Sequence, residues 1–326
     1  MTLRIGMVGT GSFSKMHATI LSEMKDVIVP SFCGSSKEKA DKMAASFEGA
    51  KGYGLLTEMI KTEQLDAVYV CVPPMAHGEI EQQLIDHKIP FLIEKPLAAE
   101  EETPLSIINQ LKETSLITSV GYHFRYKGSV QKLKESLTDS QIGIVSGQWM
   151  GDMPQVHWWR KQEGSGGQFI EQTTHIVDLL RYIAGEIEEV YASYGNLVNH
   201  KKFDNVTVAD VGTVSLKLKS GVVATLSNTC ILPPGMSQVG MSFYTDKSIF
   251  TWEPDKLEIT QAIGLKQEEW QEDNAYRKET EAFLHAVRTG DTSRILSDYA
   301  DAYLTHQITC AALESARKGV PIKINS

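Results

Sequence analysis

The stretch Gly9-Thr10-Gly11-Ser12-Phe13-Ser14 follows the β-prone run LRIGMV and leads into helix-prone residues that continue through His17 to Met24. Two glycines at a strand-to-helix junction constrain the fold more than any other feature of this chain. The backbone must turn tightly and then present unpaired amide groups at a helix start. Gly9 permits the turn, and Gly11 allows main chain to come close to a bound group. The exposed amides and the helix dipole favour an anion there, a pyrophosphate above all, with Ser12 and Phe13 beside it. Ser14 stands where a third glycine is usual, a position that serves helix-to-strand packing and accepts a small residue.

The segments that follow repeat the alternation. VIVPSFC is succeeded by KEKADKMAASF, LDAVYVCV by HGEIEQQLIDHK, and IPFLIEK by a further helix and SLITSVGYH. Strands alternating with helices predict a parallel sheet covered by helices, here of five strands in doubly wound order. After about residue 125 the runs EVYASYGNL, VGTVSLKLKS, VVATLSNTCI and VGMSFYTD succeed one another with only turns between them, and Lys219-Ser220-Gly221 reads as a hairpin. Helical segments are expected at 166–184, 271–289 and 297–318. A chain of 326 residues exceeds what a single core usually supports. The expectation is therefore an α/β protein with two domains. Residues 1–120 form a Rossmann-type doubly wound parallel sheet, and residues 121–326 an α+β domain with a large, mainly antiparallel open sheet.

Composition narrows the partners. A formal charge of −9 and a pI near 5.5 argue against a nucleic-acid surface, which needs clustered Lys and Arg. No run approaches the roughly 18 apolar residues of a membrane span, and MTLRIGMVG lacks the features of a signal peptide, so a cytoplasmic protein is expected. Cys33, Cys71, Cys230 and Cys310 are scattered without C-x-x-C spacing, and no metal is expected.

A dinucleotide fits the glycine turn. The second strand ends Phe32-Cys33-Gly34-Ser35-Ser36-Lys37, where an NAD-specific domain usually places an acidic residue for the ribose hydroxyls. Ser35, Ser36 and Lys37, with Lys39, offer hydroxyls and positive charge instead. That favours NADP over NAD; the alternative is that Ser36 caps the next helix. Pro73 and His77 lie in the loop after LDAVYVCV, at the sheet edge beside the cofactor. Glu94-Lys95-Pro96 ends the next strand, and Lys95 there is placed to orient a substrate hydroxyl next to a nicotinamide. Further on, a helix over 166–184 would align Glu171, His175 and Asp178 on one face. Such a face suits a solvated stripe, a metal site or acid/base machinery. A histidine near a carboxylate is suited to proton transfer near neutral pH.

Taken together, GTGSFS, VCVPPMAH, EKPLA, GYHFRY and the GG…EQTTHIVDLL segment resemble the Gfo/Idh/MocA oxidoreductase family over nearly the whole chain. The resemblance implies Lys95 as a catalytic residue, with Glu94 at the cofactor, and His175 as the acid/base. Many members carry Asp four residues before that histidine and Gly two before it. This chain has Glu171 and Thr173, so Glu171 as catalytic partner departs from the pattern. The resemblance also places His123 and Arg125 at the substrate, and Trp158, Arg160 and Asp178 are further substrate candidates. It implies sugar, inositol or polyol substrates, and homodimers or homotetramers assembled through the C-terminal sheet. Two other readings stay open: a nucleotide-sensing regulator without catalysis, and a metal-dependent lyase or hydrolase built on the Glu171, His175 and Asp178 face.

Overall fold

The computed structural model describes residues 2–270 and 274–324 and divides into two compact units. The first contains the described residues up to Ala98, Glu102–Gly121 and Tyr276–Tyr303. Its sheet comprises β1 (Leu3–Val8), β2 (Val27–Cys33), β3 (Lys51–Tyr53), β4 (Ala67–Val70), β5 (Phe91–Ile93) and β6 (Thr118–Val120), in the order β3-β2-β1-β4-β5-β6. All neighbours pair in parallel. The helices between them are α1 (Ser12–Ser22), α2 (Lys37–Ala44), α3 (Leu56–Thr62), α4 (Glu79–Asp86) and α5 (Glu102–Leu111).

The sheet has six strands where the sequence predicts five, because β3 is only Lys-Gly-Tyr. A three-residue run with a central glycine carries almost no strand signal. Gly52 is nonetheless required, since a Cβ there would lie 2.3 Å from the Asp41 amide nitrogen on α2. On α1, Ser14, His17, Ala18 and Leu21 are buried at helical spacing. Their face joins a core of Leu3, Ile5, Met7, Phe32, Tyr69 and Leu92.

Phe283 and Leu284 complete that core from the helix Ala275–Thr289. The segment 276–303 thus belongs to the first unit, whereas a boundary at residue 120 assigns everything beyond it to the second. The reason is physical: buried positions Glu279, Ala282, Phe283 and Ala286 mark one hidden helix face, but spacing alone does not say which sheet hides it. Of the helix expected at 271–289, residues 271–273 lie outside the described residues. The last helix runs Tyr299–Lys318.

The second unit contains Ala99–Glu101, 122–275 and the described residues from Leu304 onward. Its strands are β7 (Ile142–Met150), β8 (Ile187–Gly195), β9 (Val211–Leu218), β10 (Val223–Thr229), β11 (Gln238–Thr245), β12 (Ile249–Glu253), β13 (Lys256–Thr260), β14 (Leu265–Glu269) and β15 (Ile322–Lys323). They form one sheet ordered β14-β13-β12-β11-β7-β10-β9-β8-β15. Every pairing is antiparallel except β10 with β7. The expected hairpin joins β9 to β10, with Gly221 at φ 90°. One sheet face is apolar: Val145, Leu216, Leu226, Phe243 and Trp252 share a core with Val130 and Leu133 of α6 (Gly128–Ser136) and with three residues of a later helix, Ile176, Leu179 and Leu180.

That later helix is not the continuous 166–184 segment expected. The chain forms α7 (Gln162–Ser165), α8 (Gln168–Glu171) and α9 (Thr174–Ala184), followed after β8 by α10 (Asn199–Lys202). Gly166 and Gly167 take φ values of 73° and 89° between α7 and α8. At the second break the Gln168 carbonyl accepts both the Gln172 and Thr173 amides, which ends α8 and re-aims the chain. Glu171 therefore sits on a different helix from His175 and Asp178.

Replacing Phe283 by Ala tests the return of 276–303 to the first unit. A fully buried Phe lost from a core costs about 3–5 kcal/mol. Hydrogen exchange is expected to accelerate in β1 and β4 while β9 and β10 keep their protection.

Candidate functional site

The first unit gathers its candidate residues along the C-terminal ends of β1, β2, β4 and β5. Gly9, at φ 115°, is fixed by sterics, because a Cβ would lie 2.1 Å from the Cys71 carbonyl oxygen. Gly11 differs. Its φ is −88° and a Cβ would meet nothing within 4 Å, so no protein neighbour demands glycine there. A side chain at Gly11 would instead occupy the space above the start of α1, and α1 has no side-chain cap on its first amides. Those amides, with Ser12 as the first helical residue, form an anion cradle. Ser14 explains the missing third glycine: its hydroxyl donates to the Gly9 carbonyl at 2.8 Å and steadies the turn. Phe13 is 47% exposed beside the cradle, its ring 6.4 Å from that of Tyr276.

At the end of β2, Ser36 caps α2 by accepting the Lys39 amide at 3.3 Å. Lys37 is turned onto Asp41, with both oxygens at 2.8 Å, and Lys39 donates to the Ser35 hydroxyl at 3.1 Å. The Lys37–Asp41 pair is exposed on both sides and so worth only about 0.3–0.5 kcal/mol, a contact readily exchanged. Pro73 precedes a 3-10 turn over Pro74–Ala76. His77 lies outside the helix it was expected to open. Its ring is buried against Glu81 of α4, Nδ1 to Oε1 being 2.7 Å, while the other Glu81 oxygen accepts the Gly78 amide. Glu81 caps the start of α4, and His77 holds its other oxygen.

Glu94 and Lys95 follow β5 directly. The Glu94 amide donates to the Val70 carbonyl at 2.9 Å, and the Glu94 carboxylate is buried, 2.8 Å from Nε2 of His17 on α1. Lys95 is half-buried and its peptide bond to Pro96 is cis.

In the second unit His175 is 4% exposed and ringed by aromatic side chains. Trp149 stacks on it at 5.7 Å, Phe124 lies tilted at 4.9 Å, and His123 and Tyr122 present edges at 4.9 and 5.9 Å. The Tyr122 hydroxyl shares a hydrogen bond of 2.9 Å with Thr174, and burial, then the charge of Asp178, push the phenol well up, so it stays neutral. His123 and His175 thus lie side by side.

The two acids go elsewhere. Asp178 is buried in a two-point ion pair with Arg125, at 2.8 and 2.6 Å, and also accepts the Thr305 hydroxyl at 3.1 Å. Thr305 in turn accepts from Arg181 at 2.7 Å. Arg125 and Asp178, both expected at the substrate, are paired with each other, and Asp178 is also joined to Thr305 of the last helix. Glu171 accepts the indole N–H of buried Trp159 at 2.7 Å. Trp158 is a half-buried neighbour of the small core around Met153 and Val208, and the Arg160 guanidinium lies 4.5 Å over the Phe203 ring. Glu171 lies on α8, apart from His175 and Asp178 on α9, and among the described residues no group of His, Cys, Asp or Glu is disposed to hold a metal ion.

Residues 3–122 match the family model described as an oxidoreductase family with an NAD-binding Rossmann fold, and residues 130–250 match the GFO/IDH/MocA C-terminal domain. The chain belongs to the Gfo/Idh/MocA oxidoreductases. Among relatives, the myo-inositol 2-dehydrogenase of Thermotoga maritima is 28% identical over 234 residues, 70% of this chain and 68% of that one. The scyllo-inositol 2-dehydrogenase (NAD(+)) of Bacillus subtilis is 23% identical over 335 residues, 99% and 96% of the two chains. Among solved structures, levoglucosan dehydrogenase in complex with NADH and levoglucosan has the same fold, with a TM-score of 0.89 at 19% identity over all of both chains.

Sequence reasoning about this family member missed His17, Trp159 and Tyr122. His17 had a signal, an imidazole set in the otherwise small and apolar face of α1. Trp159 was masked by its neighbour, since nothing in His-Trp-Trp-Arg says which ring turns inward. The ion pair offers a direct test of structural against substrate-binding roles. Asp178→Ala strands a buried guanidinium and is expected to cost on the order of 3–5 kcal/mol in urea denaturation. A substrate-binding aspartate would leave the denaturation midpoint nearly unchanged.

Proposed function

We propose that this protein is a nicotinamide-dependent dehydrogenase that moves a hydride between the cofactor and a secondary hydroxyl or ketone of an inositol, sugar or related polyol. The observation that carries the reading is Gly11: at an uncapped helix start with ordinary φ, it has no described neighbour within 4 Å of where a Cβ would lie, which leaves room for a bound pyrophosphate. A bound nicotinamide would supply or accept the hydride. The first amides of α1 and the Gly9 turn would hold the pyrophosphate. Lys95 Nζ would orient the reacting hydroxyl, and a ring nitrogen of His175 would take or return its proton. The substrate class is supported by the aromatic ring of Tyr122, Phe124 and Trp149 about His175, a surface suited to the apolar faces of a cyclic polyol. It is also supported by the relatives, which are named for inositols. Glu171 in this reading shapes the site through Trp159, and His123 contacts substrate beside His175. Arg125 and Asp178 brace α9 behind it.

We also propose NADP as the favoured dinucleotide. No carboxylate stands at the end of β2, and Lys37 and Lys39 lie within one turn of Ser35 and Ser36. The exposed Asp41 pairing would yield to a 2′-phosphate, which forms stronger charge-assisted bonds. Among the described residues no helix is long and apolar enough to cross a membrane. For assembly, four residues in register across adjacent strands, Val223, Ile144, Tyr244 and Ile249, are 48%, 45%, 40% and 39% exposed on the open face of the second sheet. Such an apolar row supports a homodimer or homotetramer formed through that face.

Reduced-nicotinamide absorbance, followed with NAD and NADP against a panel of inositols, sugars and diols, tests the reading. Lys95→Ala and His175→Asn are each expected to lower kcat by roughly 10²–10⁴-fold, the usual worth of a proton-transfer group, with cofactor binding retained. Undiminished turnover in either variant removes that residue from the mechanism, and a lower KM for NAD than for NADP defeats the NADP preference. For assembly, the double variant Ile144→Lys, Tyr244→Lys is expected to elute as a monomer in size exclusion with light scattering.

A further inference from the structure

Glu94 is chemically awkward. It is 6% exposed, it adjoins Lys95 in sequence, and a buried carboxylate without its own partner would be expected to seek the nearest cation. Among the described residues the one side chain hydrogen-bonded to it is His17, whose Nε2 lies 2.8 Å from Oε1. The other oxygen packs over Gly121, where a Cβ would come within 2.9 Å, so the carboxylate fills space that a side chain at 121 would deny it. The neighbouring Cys71 thiol and Tyr276 phenol supply no counter-charge. Burial, then the charges of Glu94 and Glu279, push both the Cys71 thiol and the Tyr276 phenol up.

His17 itself is fully buried, its ring 5.4 Å from that of Tyr69 and edge-on to Tyr276 at 5.7 Å. Facing a carboxylate, Nε2 must carry the proton. Nδ1 has no hydrogen-bond partner among the described residues, a desolvation cost that an apolar ring in the same slot would not incur. A histidine kept at such a cost is better explained by what it holds than by what it stabilises. It sits on α1, whose first turn is the anion cradle, and it grips the residue next to Lys95.

We propose that His17 is a positioning residue: its Nε2–H locks the Glu94 carboxylate onto α1 and keeps it off Lys95, so that the lysine is directed to substrate. This rests on the role proposed above for Lys95. Without His17 the released carboxylate turns to the Lys95 ammonium and draws it away from the reacting hydroxyl.

The test compares His17→Phe, which keeps a ring but no donor, with His17→Gln, whose amide nitrogen stands close to where Nε2 was. His17→Phe is expected to lower kcat on the order of 100-fold, the cost of misplacing a catalytic group by about 1 Å, with the NADPH dissociation constant and Tm near wild type. His17→Gln is expected to recover much of that loss. A second readout needs no turnover: the rate at which Lys95 is acylated by an amine-directed N-hydroxysuccinimide ester, followed by peptide mass spectrometry. It should slow several-fold in His17→Phe and recover in His17→Gln. Equal acylation rates in all three proteins overturn the proposal, as does a kcat loss matched by a fall in Tm that His17→Gln fails to repair. A wild-type chain that turns over no member of the panel overturns the proposed reaction instead, and the acylation arm still decides whether His17 governs Lys95.

Discussion

The first unit is organised around the close approach of Gly9 to the Cys71 carbonyl, which leaves no room for a Cβ. Strands β1 and β4 are neighbours, and the chain leaving β1 passes so near the end of β4 that one added carbon would overlap an oxygen. Only a glycine at positive φ allows that passage. From it follows the direction of α1, and from α1 follow both the uncapped amides at its start and the inward face that carries His17. Moving the turn by a fraction of an ångström would displace an anion cradle and a carboxylate clamp together.

The second unit solves a different problem. Its nine-stranded sheet buries one face under α6, α9 and the last helix, and α9 has to present His175 among aromatic rings without drifting. The Arg125–Asp178 pair, extended through Thr305 and Arg181, supplies that anchor. A buried ion pair contributes little net stability in general, yet breaking it is costly, which makes it a better device for holding a helix in register than for strengthening a fold.

Much of this was legible in the sequence, and the limits have physical causes. Period and punctuation identify a strand, a tight turn and a helix start, so Gly9, Gly11 and the alternation to residue 120 were readable. The hairpin at Gly221 followed the same way. Destinations were harder. Glu171, His175 and Asp178 look like one face only while the helix is continuous, and the doubly bonded Gln168 carbonyl that breaks it has no sequence signature. Asp178 also pairs with Arg125, 53 residues away in the chain, a contact that spacing along one helix does not reveal. Strand β3 was invisible because its glycine serves the approach of α2 and not the strand itself.

The return of 276–303 to the first unit has a consequence for how the protein is made. The sheet of the first unit is complete once residue 120 has been synthesised, but Phe283 and Leu284, which finish its core, are not. At about 5–20 residues per second, more than 160 residues intervene, a wait on the order of ten to thirty seconds. During that interval an apolar sheet face stands without its cover while the whole second sheet emerges. The nascent chain therefore cannot finish its first unit first: residues 276–303 must return before the core of that unit is closed.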